Sequence, residues 1–325
     1  MSADAGGRTS RAGRLGRLGR LALAAPGVQV GGQAVIEGVM MRGVRSWAVA
    51  VRRPEGDVAL VEQAITPWQV RKPFLRWPIV RGVIALAESL VIGMKALAIS
   101  ASQAAGGAEE GESLSKKQVG LTIAMSLVFS IGLFFVLPVF LTSLFGLQSG
   151  LAFWAVEGLI RVAIFLGYII GISFVPDLRR VFQYHGAEHM AIHAYEAGEP
   201  VEAESASRFS QLHVRCGTAF LLIVMVISIF VFAAVGTPGI GWLILSRIVG
   251  VPVVAGLSYE VIRWAGRHKD DPRVLTIMKP GLWLQHLTTR QPDLEQLDVA
   301  CRALRRVLEL ESERPAWADR VEVMA

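Results

Sequence analysis

Four long apolar runs constrain this chain more than any other feature. They are Val119 to Gly146 (VGLTIAMSLVFSIGLFFVLPVFLTSLFG), Leu151 to Val175, Gly217 to Gly236, and about Ile240 to Ile262. Each holds roughly 20 or more largely apolar residues, the length a helix needs to cross the hydrocarbon core of a bilayer. In that solvent every backbone polar group must be satisfied inside the segment, so the runs are predicted to be helices. Composition agrees: 53% of the residues are hydrophobic and 18% charged, against about 25% charged in a soluble domain. The expected class is mainly α, a polytopic helical membrane protein with about four transmembrane helices.

Flanking charge gives the orientation. Lys116 and Lys117 precede the first run, Arg179 and Arg180 follow the second, Arg208 and Arg215 precede the third, and Arg263, Arg267 and Lys269 follow the fourth. The opposite loops, LQSG and TPG, carry no charge. Basic residues collect on the cytoplasmic side of a membrane, so both termini and the segment between the second and third runs are expected in the cytoplasm. The localisation read from this is the cell (inner or plasma) membrane, multi-pass. The same rule accounts for the net charge of +6 and the pI near 9.7, so the expected partner is the lipid bilayer and not nucleic acid. Two cysteines, Cys216 and Cys301, cannot form a disulfide scaffold and fit a reducing compartment.

The remaining segments divide the chain. Residues 1–27 form a basic arm, expected to be disordered or to lie on the membrane surface. Residues 28–70 are β-rich and cytoplasmic: WAVAVRRPEGDVALVEQAI places apolar runs on both sides of a PEGD turn, which predicts a small hairpin. The preceding VGGQAVIEGVMMRG carries glycines at 31, 32, 38 and 43, expected at tight turns or close backbone contacts. Residues 71–118 hold PIVRGVIALAESLVIGMKALAIS and a polar linker. Arg81, Glu88 and Lys95 recur every seven residues there, one stripe on a helix, so Pro78 to Ser100 is expected to be interfacial or re-entrant and not a fifth full span. Residues 119–175 carry the first two spans, 176–216 a cytoplasmic segment rich in histidine, and 217–263 the last two spans. Residues 264–325 carry cytoplasmic helix, with Asp293 as N-cap and Leu294, Leu297, Ala300, Leu304, Val307 and Leu308 on its apolar face.

The chemistry concentrates in Tyr184 to Glu196, YHGAEHMAIHAYE, where His185, His189 and His193 are four residues apart, among Glu188 and Glu196. At about 100° per residue these five side chains fall within an arc of about 140° on one helical face. Histidines at i and i+4 can share a metal ion. The order His185-x-x-Glu188-His189 is the inverted zincin pattern, in which two histidines hold zinc and the glutamate takes a proton from the attacking water. The competing reading is the polar face of a cytoplasmic helix. LHVRCGT adds His213 and Cys216, three apart and immediately before the third run. Both are good ligands for zinc-like ions, and the topology brings both segments to the cytoplasmic mouth of the bundle. Glu260 sits at a similar depth, as a ligand or as a partner of Arg263. Glu157, Arg161 and Arg247 lie inside the apolar runs, either as functional groups or as a structural ion pair with a neighbour. His268 and His286 are isolated and expected to be structural or exposed.

Taken together, VGGQAVIEGVMMRG, IVRG, YHGAEH, RCGT and PGLWLQHLTTRQPD resemble the YqhQ-like family of bacterial membrane proteins (domain of unknown function 1385), from about Gly27 to Leu310. The resemblance implies a multi-span protein with a metal-dependent site and supplies no substrate. The family pattern has proline where this chain has Val214, which loosens the turn but keeps both flanking ligands. His193 falls where the family has another residue. The resemblance therefore implies the metal-ligand set His185, His189, His213 and Cys216. It also singles out Glu37 and Arg42 in IEGVMMRG, an acid/base group and an anion clamp, with glycine-rich packing as the rival reading. The expected cofactor is a divalent metal, zinc first, with Glu188 as general base of a hydrolase acting on a lipid or peptide at the cytoplasmic surface. A scaffold or assembly factor with a structural metal is the alternative, and a metal transporter the third.

Overall fold

The structure is a computed structural model that describes residues 28–106, 116–147, 150–236, 240–268 and 271–312. The basic arm and most of the polar linker read from the sequence lie outside the described residues. The N-terminal region is an antiparallel meander of β1 (Gly31–Val35), β2 (Gly38–Arg42), β3 (Ser46–Arg52) and β4 (Val58–Ala64), paired in that order. The hairpin expected around PEGD is β3–β4. The glycine-rich stretch before it, expected as turns or close contacts, is itself a second hairpin, β1–β2, in register from Gly31 opposite Arg42 to Val35 opposite Gly38. The strand signal was masked because β2 is buried along its whole length and β3 up to Arg52. A strand covered on both faces loses the alternation that betrays a half-exposed one.

Period two still sorts the side chains between the faces. Val39, Met41, Ala48 and Ala50 pack into one core with α4 (Pro176–Glu196) and α8 (Leu294–Glu311), through Ala187, Ala191, Leu297 and Leu304. Met40, Trp47, Val49 and Val51 pack on the other side against Ile92 and Ala96 of α1 (Val80–Ala104). The sheet is therefore the middle layer between α1 and the α4–α8 pair.

The remaining long helices are α2 (Lys116–Ile131, continued by a wider π turn at Gly132–Val136 and by Leu137–Ser143), α3 (Gly150–Ser173), α5 (Gly217–Val235), α6 (Ile240–Arg267) and α7 (Pro272–Thr288). Among the described residues, five helices are long and apolar enough to cross a membrane: α1, α2 over Gly120–Ser143, α3, α5, and α6 over Leu245–Arg267. The sequence reading had about four, with Pro78 to Ser100 set aside. That segment is one unbroken helix of 25 residues. Its charged stripe is used against protein: Arg81 donates to Glu260 of α6 from Nε at 2.7 Å, and Glu88 is paired with Arg42 of β2. Lys95 is exposed. Glu260 also takes a hydrogen bond from Arg263 at 3.4 Å, so it ties α6 to α1.

Among these helices, Glu157 and Arg161 of α3 are paired directly. Arg161 also donates to Ser228 Oγ of α5 at 3.2 Å and to the Phe134 carbonyl of α2 at 3.1 Å, joining three helices. Arg247 stacks over the Phe232 ring, 3.7 Å from its centroid. At the other end, α8 starts as expected, with Asp293 and Gln296 forming a reciprocal capping box. Leu297, Ala300, Leu304 and Val307 are buried, whereas Leu294 is exposed.

Candidate metal centre

Helix α4 begins with Pro176, whose missing N–H is no loss in the first turn. It then runs beside α8 on the face of the sheet, with His185, Glu188 and His189 lining a cavity shared with β1 and the start of α5. Two close contacts fix its seat. An added Cβ at Gly186 would lie 2.3 Å from the Arg290 carbonyl oxygen, and one at Gly32 of β1 would lie 2.6 Å from Glu188 Cγ. Glycine at these places lets the connector after α7 and the edge of the sheet reach the helix.

The two histidines are oriented alike. His185 Nδ1 donates to the Thr288 carbonyl at 2.8 Å, and His189 Nδ1 to the Gln211 carbonyl. A carbonyl can only accept, so each Nδ1 carries the proton and each Nε2 is left to face a ligand. This is the arrangement that ligating histidines adopt. Cys216 Sγ lies 3.3 Å from His185 Nε2. One ligand atom from each of His185, His189 and Cys216 falls within 4.8 Å of the others. For a tetrahedral zinc with bonds of about 2.05 Å to nitrogen and about 2.3 Å to sulfur, the nitrogen–sulfur edge is about 3.5 Å, so the donor set fits such an ion.

Electrostatics favours a thiolate–imidazolium pair, with Cys216 in its ligating form and His185 carrying a proton that a bound cation would displace. Cys216 is the N-cap of α5 and accepts the Thr218 N–H at 3.4 Å, and a helix N-terminus stabilises a thiolate. Burial alone would push its thiol up, but the His185 and His189 imidazoles outweigh that and hold it well below its ordinary value. For His185, burial disfavours the cation, yet the neighbouring thiolate raises its pKa to about 9. Burial also raises the Glu188 carboxyl, with His189 and His185 partly opposing it.

These groups line a cavity of about 620 Å³ together with Arg42, Met40, Gln33, Leu90 and Leu221. Of the sequence-predicted residues, His185, His189 and Cys216 form the trio and Glu188 shares its wall. His213 lines the same cavity, its ring 5.7 Å from that of His189, but it groups with His193 and Glu196 in a second trio. That trio is knitted into the protein. Arg215 is paired with Glu196, His193 Nε2 donates to the Leu212 carbonyl at 2.8 Å, and His213 Nδ1 accepts the Arg215 N–H at 3.4 Å. Burial holds His213 down, to about 4. Arg42 faces the cavity with its guanidinium fixed by Glu88 and by Ser89 Oγ at 2.9 Å. Glu37 does not line the cavity. It sits in the β1–β2 turn at φ 51°, and its carboxylate is gripped by Arg180 of α4. His268 and His286 are exposed, outside both trios.

Sequence reasoning missed the supports. The carbonyls of Thr288 and Gln211 carry no side-chain signature. Gln285 clamps His213 by accepting its N–H and donating to its carbonyl, each at 2.8 Å. The only sequence trace of α7's part was PGLWLQHLTT.

A family model described as "Protein of unknown function (DUF1385)" matches residues 77–310. The chain is 36% identical over 297 residues to "Uncharacterized protein YqhQ" of Bacillus subtilis (strain 168), covering 87% of this chain and 93% of that protein. No solved structure matches.

Proposed function

This chain belongs to the DUF1385 family, whose function is unknown, and we propose that it is a membrane-embedded, metal-dependent hydrolase with its site at the cytoplasmic mouth of the helix bundle. The observation that carries the reading is the matched pair of histidines, each fixed at Nδ1 by a backbone carbonyl and converging with Cys216 on one point beside Glu188.

In the proposed membrane arrangement α2, α3, α5 and α6 cross the bilayer, and α1 lies along its cytoplasmic boundary. The sheet supports this. It packs on α1 with one face and on α4 and α8 with the other. Both flanks of α1 therefore stay on the side that holds the histidines.

A zinc-like ion held by His185, His189 and Cys216 would supply Lewis acidity, making water acidic enough to ionise near neutral pH. Glu188 takes a proton from the attacking water. The water oxygen bonds to the substrate carbonyl carbon, the bond to the leaving oxygen or nitrogen breaks, and Glu188 returns the proton to that leaving atom. Burial, which raises the Glu188 carboxyl, suits a group that must both accept and release a proton near neutral pH. Arg42, held by Glu88 and Ser89, presents its remaining N–H groups to the polar end of the substrate.

A purely structural metal would normally have four protein ligands, whereas among the described residues the trio supplies three. For a transporter, a metal path through the spans would meet Arg161 and Arg247, two cations. The decisive experiment is Glu188→Gln. It keeps size and hydrogen bonding but removes the base, so metal content by elemental analysis should stay at the wild-type level. Complementation of a null strain should fail, since losing a general base costs about 10²–10⁴ in rate. Full complementation with metal retained would favour the scaffold.

A further inference from the structure

The cavity holding the trio is lined by both polar and apolar side chains. The polar lining includes His185, Glu188, His189, Cys216 and Arg42. The apolar lining includes Met40 of β2, Phe182 of α4, Ile169 of α3, Leu90 of α1 and Leu221 of α5. Two of these side chains belong to the outside as well as to the cavity. Leu90 is 67% exposed and Leu221 42% exposed, so they form its rim. Leu90 continues an exposed apolar strip on α1 with Val91, Met94 and Leu97. Leu221 stands little more than one turn into α5, a helix apolar enough to cross a membrane. The opening therefore meets the hydrocarbon boundary and not only the cytoplasm. Met40, by contrast, is 4% exposed and lines the cavity.

We infer that the substrate enters sideways from the bilayer: the cavity accommodates a membrane lipid, its acyl chain between Leu90 and Leu221 and over Met40, its hydrolysable carbonyl at the trio. This rests on the hydrolase reading above and names the substrate class for that site. A cavity of about 620 Å³ is within the range that holds a ligand of several hundred daltons, enough for the polar end and the first part of one chain. A water-soluble peptide gains nothing from an apolar rim at the membrane boundary, whereas a lipid chain leaves the bilayer without exposing apolar area to water.

The test uses the full-length Glu188→Gln protein in nanodiscs that contain a phospholipid with a diazirine in its acyl chain. After irradiation, labelled residues are mapped by mass spectrometry, and metal is measured on the same sample. Lipids surrounding any membrane protein will label outward residues such as Phe230, which is 71% exposed. Occupancy of the cavity predicts additional label on Met40. Replacing both Leu90 and Leu221 by Trp should narrow the rim and cut the Met40 label at least fivefold while Phe230 is labelled as before. Label confined to Phe230 and other outward residues overturns lipid entry, as does Met40 label indifferent to the Trp pair. Preferential labelling of Met40 by a benzophenone-bearing apolar peptide added in solution overturns it in favour of a peptide substrate. Absence of bound metal with Met40 labelled sinks the hydrolase reading alone, so the two failures are told apart.

Discussion

At the scale of single residues, the site depends on which nitrogen of each histidine is already engaged. His189 gives Nδ1 to Gln211 and has Nε2 left, whereas His193, one turn on, has given Nε2 to Leu212. Two residues that look interchangeable in YHGAEHMAIHAYE are thus separated by backbone carbonyls. His189→Ala or Cys216→Ala is accordingly expected to strip most of the metal from purified protein. The loss should exceed the roughly 10–100-fold weakening that follows from losing a mere supporting partner. His268→Ala, at an exposed histidine bonded to the Trp264 carbonyl, is expected to leave metal content unchanged. Elemental analysis of the three variants, each with its melting profile, checks this. Equal loss in all three would mean unfolding and not ligation. The ligand-rich helix, its partner motif at Cys216 and the glutamate between the histidines were legible in the sequence, because side-chain type and spacing carry that information. The placement of His213 and Glu37 was not, because it turns on contacts with Arg215, Gln285 and Arg180 that are distant in sequence or made through backbone atoms.

At the scale of elements, the site is where α4 meets the connector between α7 and α8. Arg290 N–H donates to the Phe182 carbonyl at 2.9 Å, and Thr288, two residues earlier at the end of α7, orients His185. Gly186 is the hinge of that contact, since any Cβ there would collide with the Arg290 carbonyl, a backbone atom that cannot swing aside. Gly186→Ala would ordinarily favour a helix by roughly 1 kcal/mol. Here it is expected to lower the melting temperature and to weaken metal binding by about 10–100-fold, because α4 must shift away from the carbonyl that aims His185. Titration of apo protein with zinc, wild type against variant, measures it, and a more stable variant with unchanged affinity would contradict it. The elements differ in how openly the sequence declared them. Helix α8 was declared by its apolar face and its capping residue Asp293. The β1–β2 hairpin was hidden by glycine and by burial on both faces. Helix α1 matched two templates, a span by length and apolarity and an interfacial helix by its charged stripe. The sequence alone does not choose between these.

At the scale of the whole molecule, the side of the membrane on which the sheet lies decides between four crossings and five. Helices α2 and α3 are joined by a short loop, so in the proposed arrangement the start of α2 and the end of α3 lie on one side. Helix α4, which carries the histidines, follows α3 there. The eleven residues 105–115 between α1 and α2 include Glu109, Glu110 and Glu112. Burying such a segment in hydrocarbon would cost several kcal/mol for each unsatisfied group, so the proposed arrangement puts the end of α1 on the same side too. Before α1, the sheet is bound to α4 and α8 by a continuous core, and Arg53 near its tip bonds Gln103 at the end of α1 at 2.7 Å. In the proposed arrangement α1, with both flanks on one side, does not cross. Single cysteines read by a membrane-impermeant maleimide are therefore expected to label as follows. Glu55→Cys, at the β3–β4 turn, should react only after the cells are opened, as should a cysteine at Pro200 after α4. Ser149→Cys, in the uncharged loop between α2 and α3, should react in intact cells. A reporter fused after Ala325 should read cytoplasmic. Labelling of Glu55→Cys in intact cells, with Pro200 protected, would place the sheet outside. It would make α1 a fifth span and dismantle the cavity that β1, β2 and α4 share.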